Sequence, residues 1–261
     1  MRLAVAQALA RQHGAELTAL YGVMPTLMAT PWSGGEGMAA AIELMSEVDQ
    51  IQRVRARAVF EQALAQGPLR WVDSADAPLP QFLRERALYA DLVVMGQHDA
   101  SDMQTGALPS DLVPALISDG GKPTLVLPYA GNFDALTSKV LVAWKPTREA
   151  ARAVSAALPW LRQAQQVHLA WRPEDDTPLL APLAALEHWL RLQGVGATMT
   201  THTLNAGDIG VGDALLSLAA DTSAALLVMG CFGHSRAREW VLGGATRTVL
   251  GAMTLPVLMT H

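Results

Sequence analysis

Apolar positions along this chain switch repeatedly between two periods, and that switching is the first sign of its architecture. Short, largely apolar runs, KVLVAW at 139–144, VHLAW at 167–171 and LLVM at 226–229, read as strands of a buried sheet. Between them, Ala, Val and Leu recur at helical spacing over the segment behind a capping Thr147 to about Leu161, over 180–192, and from the turn at 208–212 to Ala220. Residues 198–204 alternate as a third strand, 238–253 contain a last helix, and 256–259 form a closing strand. Strands alternating with helices predict an α/β fold with a parallel, doubly wound sheet.

The first half repeats the scheme. Its pattern predicts a helix over 3–12, a strand over 17–23, a long helix over 39–66 and a strand over 69–72. A helix over 79–88, a strand over 92–95, a helix over 110–117 and a strand over 124–127 follow. Segment ADLVVMG at 90–96 matches AALLVMG at 224–230, KPTLVLP at 122–128 echoes LPVLMTH at 255–261, and GAELTALYGV at 14–23 resembles AQQVHLAWRP at 164–173. Internal similarity of this kind predicts two tandem domains, 1–129 and 138–261, joined by a linker at 130–137. Nothing precedes helix 3–12 to match the strand at 139–144, so the first domain is expected to lack its first, central strand. Its remaining strands would then form two pairs without their shared partner. The expectation is a start codon assigned too far downstream. A Met/Pro/Gly-rich insertion at about 24–38 has no counterpart in the second domain, and its methionines read as flexible packing.

Composition narrows the function. With 51% hydrophobic and 16% charged residues in 261, the chain is globular with ample core. A net charge of −5 and scattered Lys and Arg argue against nucleic acid; the densest cluster, Arg53, Arg55 and Arg57, reads as a solvated helix face. One cysteine, Cys231, excludes an internal disulfide framework and a cysteine-based zinc site. No run is long and apolar enough to span a membrane, and the N-terminal pattern fits an amphipathic helix better than a signal peptide. The expected location is the cytoplasm.

The candidate chemistry sits at the end of the chain. Gly230 and Gly233 follow a buried strand, and Gly243 and Gly244 feed the last helix, which is where an α/β protein can hold a phosphate. Glycines let the backbone approach an anion, and amides at the helix start face it. Gly243, Gly244 and Ala245 would offer amides, Thr246 a hydroxyl, and His234 with Arg236 or Arg238 positive charge. Trp144 reads as core or as a base-stacking surface; Lys145 reads as a phosphate contact or a solvated loop lysine. Cys231 beside His234 lacks an orienting third group for nucleophilic catalysis and reads as packing. His168 and His202 fall in strand patterns and read as structural, and His188 lies within a helix. No Walker sequence is present. In the first copy Gly96 persists, but Asp99, Ala107 and Leu108 stand where Gly233, Gly243 and Gly244 do. Gln97, His98, Asp99 and Asp102 read as loop polar residues ahead of a metal or acid/base site.

The spacing Gly230-x2-Gly233-x9-Gly243, with Pro256-Val257-Leu258 in the closing strand, resembles the universal stress protein family, over all of 138–261 and more weakly over 1–128. The resemblance implies a sheet of order 3-2-1-4-5, similar to adenine-nucleotide alpha-hydrolases, in a tandem member. It further implies a non-enzymatic stress-response module, with ATP or another adenine nucleotide as the candidate ligand of one family branch and no cofactor required. The family's Ser/Thr falls on Gly244 and its acidic residue after strand one falls on Lys145. An interaction or scaffold protein without nucleotide is therefore the alternative reading, and a weak ATPase or hydrolase the third. Expected partners are the nucleotide, an intramolecular pseudo-dimer formed by edge pairing of 124–127 with 256–259, and a homodimer; neither nucleic acid nor membrane is expected.

Overall fold

The computed structural model describes residues 1–22, 38–74, 79–99, 108–133, 136–173, 181–204, 210–231 and 243–261. The chain forms two compact units, Met1–Arg86 with His98–Leu112, and Ala87–Gln97 with Val113–His261.

The first unit begins with α1 (Arg2–His13), which stops at Gly14, whose φ of 60° is the left-handed conformation that glycine adopts without strain. Next come β1 (Thr18–Tyr21), α2 (Met38–Leu64), β2 (Arg70–Asp73) and α3 (Leu79–Ala87). Strands β1 and β2 pair in parallel from Thr18↔Arg70 to Tyr21↔Asp73 and form a sheet of their own. Val5 and Leu9 of α1, Phe60 and Ala63 of α2, and Leu79 and Phe82 of α3 are buried. The buried Gln7 Nε2 donates to the Ala63 carbonyl at 2.8 Å, tying α1 to α2. Tyr21 stacks on Trp71 with ring centres 5.3 Å apart, and Phe60 meets Trp71 edge-on at 5.2 Å. The arginine cluster is only partly the solvated face expected. Arg57 lies over the Phe60 and Trp71 rings, and Arg53 sits 3.3 Å from Asp73. Arg55 is exposed.

The second unit holds a seven-stranded sheet in the order β3-β4-β9-β8-β5-β6-β7. Its elements are β3 (Val93–Gly96), α4 (Leu112–Asp119), β4 (Thr124–Leu127), β5 (Lys139–Trp144) and α5 (Arg148–Leu161). They continue with β6 (Gln166–Trp171), α6 (Ala181–Leu192), β7 (Thr198–Thr203) and α7 (Val211–Thr222). Then come β8 (Leu226–Gly230), α8 (Gly244–Ala252) and β9 (Val257–Thr260). Strands β7-β6-β5-β8-β9 are mutually parallel and reproduce the expected 3-2-1-4-5 order. The central strands are buried throughout, as their uninterrupted apolar runs require: Val140, Leu141, Val142, Leu226, Leu227 and Val228 have no exposed surface.

Beyond β9 the sheet continues. β4 pairs with it antiparallel, Thr124↔Met259 to Val126↔Val257, and β3 adds to β4 in parallel. The expected edge pairing of 124–127 with 256–259 is therefore present as a hydrogen-bonded ladder. It crosses the sequence-expected boundary at 130–137, and the compact unit follows the ladder. Among the described residues the strands of the first copy stand as two pairs, β1 with β2 and β3 with β4. This is the separation expected when the strand between β1 and β3 is missing. Most element ends agree with the pattern. The last helix occupies only Gly244–Ala252 of its window. Residues 232–242, and the insertion up to Met38, lie outside the described residues.

Candidate anion-binding site

The site follows from the topology. The chain leaves β5 toward β6 on one side, while β8 leads to β9 on the other, so the C-terminal ends of β5 and β8 flank a switch point. The register Ala143↔Met229 sets Trp144 level with Gly230. Gly230 serves packing here: a Cβ on it would run into Ala150 N and the Glu149 carbonyl carbon, because the start of α5 lies directly against the strand end. Thr260 Oγ1 donates to the Glu149 carbonyl at 2.8 Å and holds that helix start in place.

The two helices that begin near this point differ at their N-termini. In α5, Thr147 Oγ1 accepts from Ala150 N at 3.3 Å, an ordinary side-chain cap. The next carboxylate, Glu149, is 5% exposed. Burial works to raise its pKa, but hydrogen bonds from Arg148, from its own backbone and from Thr147 outweigh it, and the carboxyl titrates below its ordinary range. In α8, Gly243 occupies the cap position, no side chain among the described residues caps the helix, and no acidic residue lies in its first turn. Among the described residues, a Cβ at Gly243 would meet only Thr246 Oγ1 at 3.9 Å, and one at Gly244 would meet nothing within 4 Å. The first intrahelical bond runs from Arg247 N to the Gly243 carbonyl at 3.1 Å, so the amides of Gly244, Ala245 and Thr246 precede the ladder. Unsatisfied amides at the positive end of a helix dipole favour an anion. Arg247 is exposed on this same turn and adds a full positive charge. Sequence reading passed over it because only the observed helix start places it in the first turn.

The remaining expected residues divide. Thr246 is 3% exposed, and its hydroxyl bonds the Cys231 thiol, tying the first turn of α8 to the end of β8. The hydroxyl expected to face a ligand thus faces the core. Cys231 is 1% exposed, and burial pushes its thiol up to about 12, against the smaller opposing effect of Thr246. A thiol so placed stays protonated near neutrality and packs. Trp144 is half-buried at the end of β5, opposite Trp171 of β6, and both indole Nε1 groups are buried without a hydrogen-bond partner. Lys145 is half-buried, and its carbonyl accepts from Thr147 N at 2.7 Å. Gly233, His234, Arg236 and Arg238 lie outside the described residues.

The equivalent strand end in the first copy is closed. Gln97 is 5% exposed; its Nε2 donates to the carbonyls of Leu250 and Gly251 at 3.0 and 3.2 Å, and its Oε1 accepts from Tyr129 N at 3.4 Å. It satisfies carbonyls at the C-terminal end of α8. Asp102 and Ala107 lie outside the described residues, and among those described no three His, Cys, Asp or Glu side chains gather as metal ligands. His168 and His202, expected as structural strand residues, meet across β6 and β7 with Nδ1 and Nε2 3.0 Å apart. His202 lines a cavity of about 450 Å³ with Ser217 and Asp221 of α7. Burial lowers both histidine pKa values, and for His168 the neighbouring His202 and Lys139 lower it further.

Comparison with solved structures supplies the fold's relatives. A universal stress protein from Archaeoglobus fulgidus is similar over 98% of this chain and 90% of its own, with a TM-score of 0.69 at 16% identity. A candidate universal stress protein from Pseudomonas aeruginosa is similar over 99% of this chain and 87% of its own, with a TM-score of 0.56 at 15% identity. A protein of unknown function from Pseudomonas aeruginosa is similar over 99% of this chain and 86% of its own, at 0.54 and 14%. No family model and no curated protein matches the chain. The chain has the universal stress protein fold, and these likenesses run through both of its halves. Among the described residues, no helix is long and apolar enough to cross a membrane.

Proposed function

We propose that this chain is a tandem universal stress protein, a non-enzymatic cytoplasmic stress-response module whose second copy (138–261) holds a nucleotide or related phosphate anion. One observation carries the reading: among the described residues, α8 opens beside the switch point with no side-chain cap, no acidic side chain in its first turn, and no atom within 4 Å of where a Gly244 Cβ would stand. Gly243, Gly244, Ala245 and Thr246 contribute amides, Arg247 and Lys145 contribute positive charge, and the indole of Trp144 flanks the base. Gly233 and His234, in the preceding loop, complete the set proposed from sequence. The β4–β9 ladder supports reading the two copies, 1–129 and 138–261, as an intramolecular pseudo-dimer.

A second reading, an interaction protein that binds no nucleotide, draws on Lys145 in place of a carboxylate and on the Thr246 hydroxyl turned toward Cys231. Titration calorimetry of the full chain with ATP, ADP and inorganic phosphate separates the two. The expected result is nucleotide binding that Gly243→Val weakens by about tenfold or more, because a branched side chain there blocks phosphate approach. Absence of heat with all three ligands selects the interaction protein, and binding indifferent to Gly243→Val removes α8 from the site.

A further inference from the structure

Helix α2 carries apolar residues on its outward side as well as its inward one, and Ile42, Val59 and Leu64 are exposed besides those that follow. Its inward side carries Met45, Asp49, Gln52, Arg53, Phe60 and Ala63, all half-buried or buried. On the opposite side, Leu44 is 62% exposed, Val48 42%, Ile51 44% and Val54 59%. These are not scattered single residues. Leu44, Ile51 and Ala58 are spaced by heptads and form one line along the helix, with Val48 and Val54 flanking Ile51 and all five exposed. The helix is 27 residues long, about 40 Å at its rise per residue, so the stripe covers roughly half of it.

We propose that this face is a dimer interface, occupied by α2 of a second copy of the chain running antiparallel about a two-fold axis at Ile51. The charge pattern selects this occupant and this register. An axis at Ile51 brings together residues equidistant from it, so Val48 meets Val54, Leu44 meets Ala58 and Ile51 meets its mate. The same axis sets Glu47 against Arg55, twice, since an isologous contact repeats every pair. Glu47 and Arg55 are exposed and lie on opposite sides of the Leu44–Ile51–Ala58 line. Other registers are penalised. An axis at Val54 sets Glu47 against Glu61, twice, and an axis at Val48 sets Leu44 and Ile51 against the inward-facing Gln52 and Met45, off the stripe. A surface whose charges and apolar residues match themselves in one register and lose that match in its neighbours specifies a second copy of itself.

Sedimentation of the full chain over a concentration series tests the interface, with circular dichroism confirming that each variant is folded. The wild type is expected to be dimeric, and Ile51→Arg, which sets two like charges on the axis, monomeric. Glu47→Arg and Arg55→Glu should each weaken the dimer by about tenfold or more, and the double exchange Glu47→Arg with Arg55→Glu should restore it. The only native cysteine is buried, so Ile51→Cys should form a cross-linked dimer under mild oxidation. A wild type monomeric throughout, a dimer that survives Ile51→Arg, a double exchange no stronger than its parts, or an Ile51→Cys chain that fails to cross-link overturns the proposal.

Discussion

Strands β3 and β8 end in nearly the same letters, LVVMG and LLVMG, yet the residue after the glycine gives the two ends different work. After β3, Gln97 turns its amide inward and spends all of it on backbone groups, two carbonyls ending α8 and one amide in the segment after β4. After β8, Cys231 packs against Thr246, and the polar groups left over are the backbone amides of α8. One helix therefore joins the two copies. Its C-terminus is satisfied by the closed strand end, and its N-terminus opens beside the other without a side-chain cap among the described residues. A duplicated loop that has lost its glycines is not idle; it caps the helix that its twin presents.

This comparison can be broken at its packed points. Gly230→Val places a side chain against the backbone of Glu149 and Ala150, which cannot yield as a flexible side chain would. A loss of about 3 kcal/mol in urea unfolding is expected, and a variant within a few tenths of wild type would show the α5–β8 contact to be loose. Gln97→Ala leaves buried carbonyls at the end of α8 without their donor and should cost about 2 kcal/mol in the same measurement. Anion binding at the other end of α8 should be unchanged, and a variant of full stability would mean that Gln97 caps nothing that matters.

The smallest expected effect concerns the strand pairs that answer to each other in the two copies. Where β1 and β2 carry the Tyr21–Trp71 stack, β6 and β7 carry the His168–His202 pair. Burial lowers both histidine pKa values in the folded state, and for His168 the charges of His202 and Lys139 lower it further. The unfolded chain then binds more protons as pH falls below about 6.5, so this contribution is complete above that pH and declines through the lowered folded values. His202→Gln should flatten the acid limb of a urea-midpoint profile, and an unchanged limb would place the acid sensitivity elsewhere.

Sequence reading located nearly every element because each declares itself locally. The run Lys139–Trp144 is apolar without interruption, Thr147 stands one residue before its helix, and Thr124–Leu127 is bounded as read. The repeat showed no counterpart to β5 in the first copy, and among the described residues β1 and β2 pair apart from β3 and β4. The site was only half legible. Gly230, Gly243 and Gly244 were singled out from their spacing, but the spacing could not say that Gly230 serves packing while Gly243 and Gly244 stand clear of the described residues. That difference depends on whether Ala150 lies against the strand end.

Thus the chain's own pattern determined the α/β class, the two copies, the sheet order implied by their resemblance and the position of a candidate anion loop, all from periodicities that act over a few residues. Tertiary structure decided the rest, because it depends on pairs distant along the chain: the Gln97 cap on α8, the Thr246 hydroxyl bonded to Cys231, and two histidines brought to 3.0 Å by strand register. It also decided which face of α2 is left exposed. Hydrophobic period shows which side of an element is apolar; only the packed neighbours show whether that side is covered.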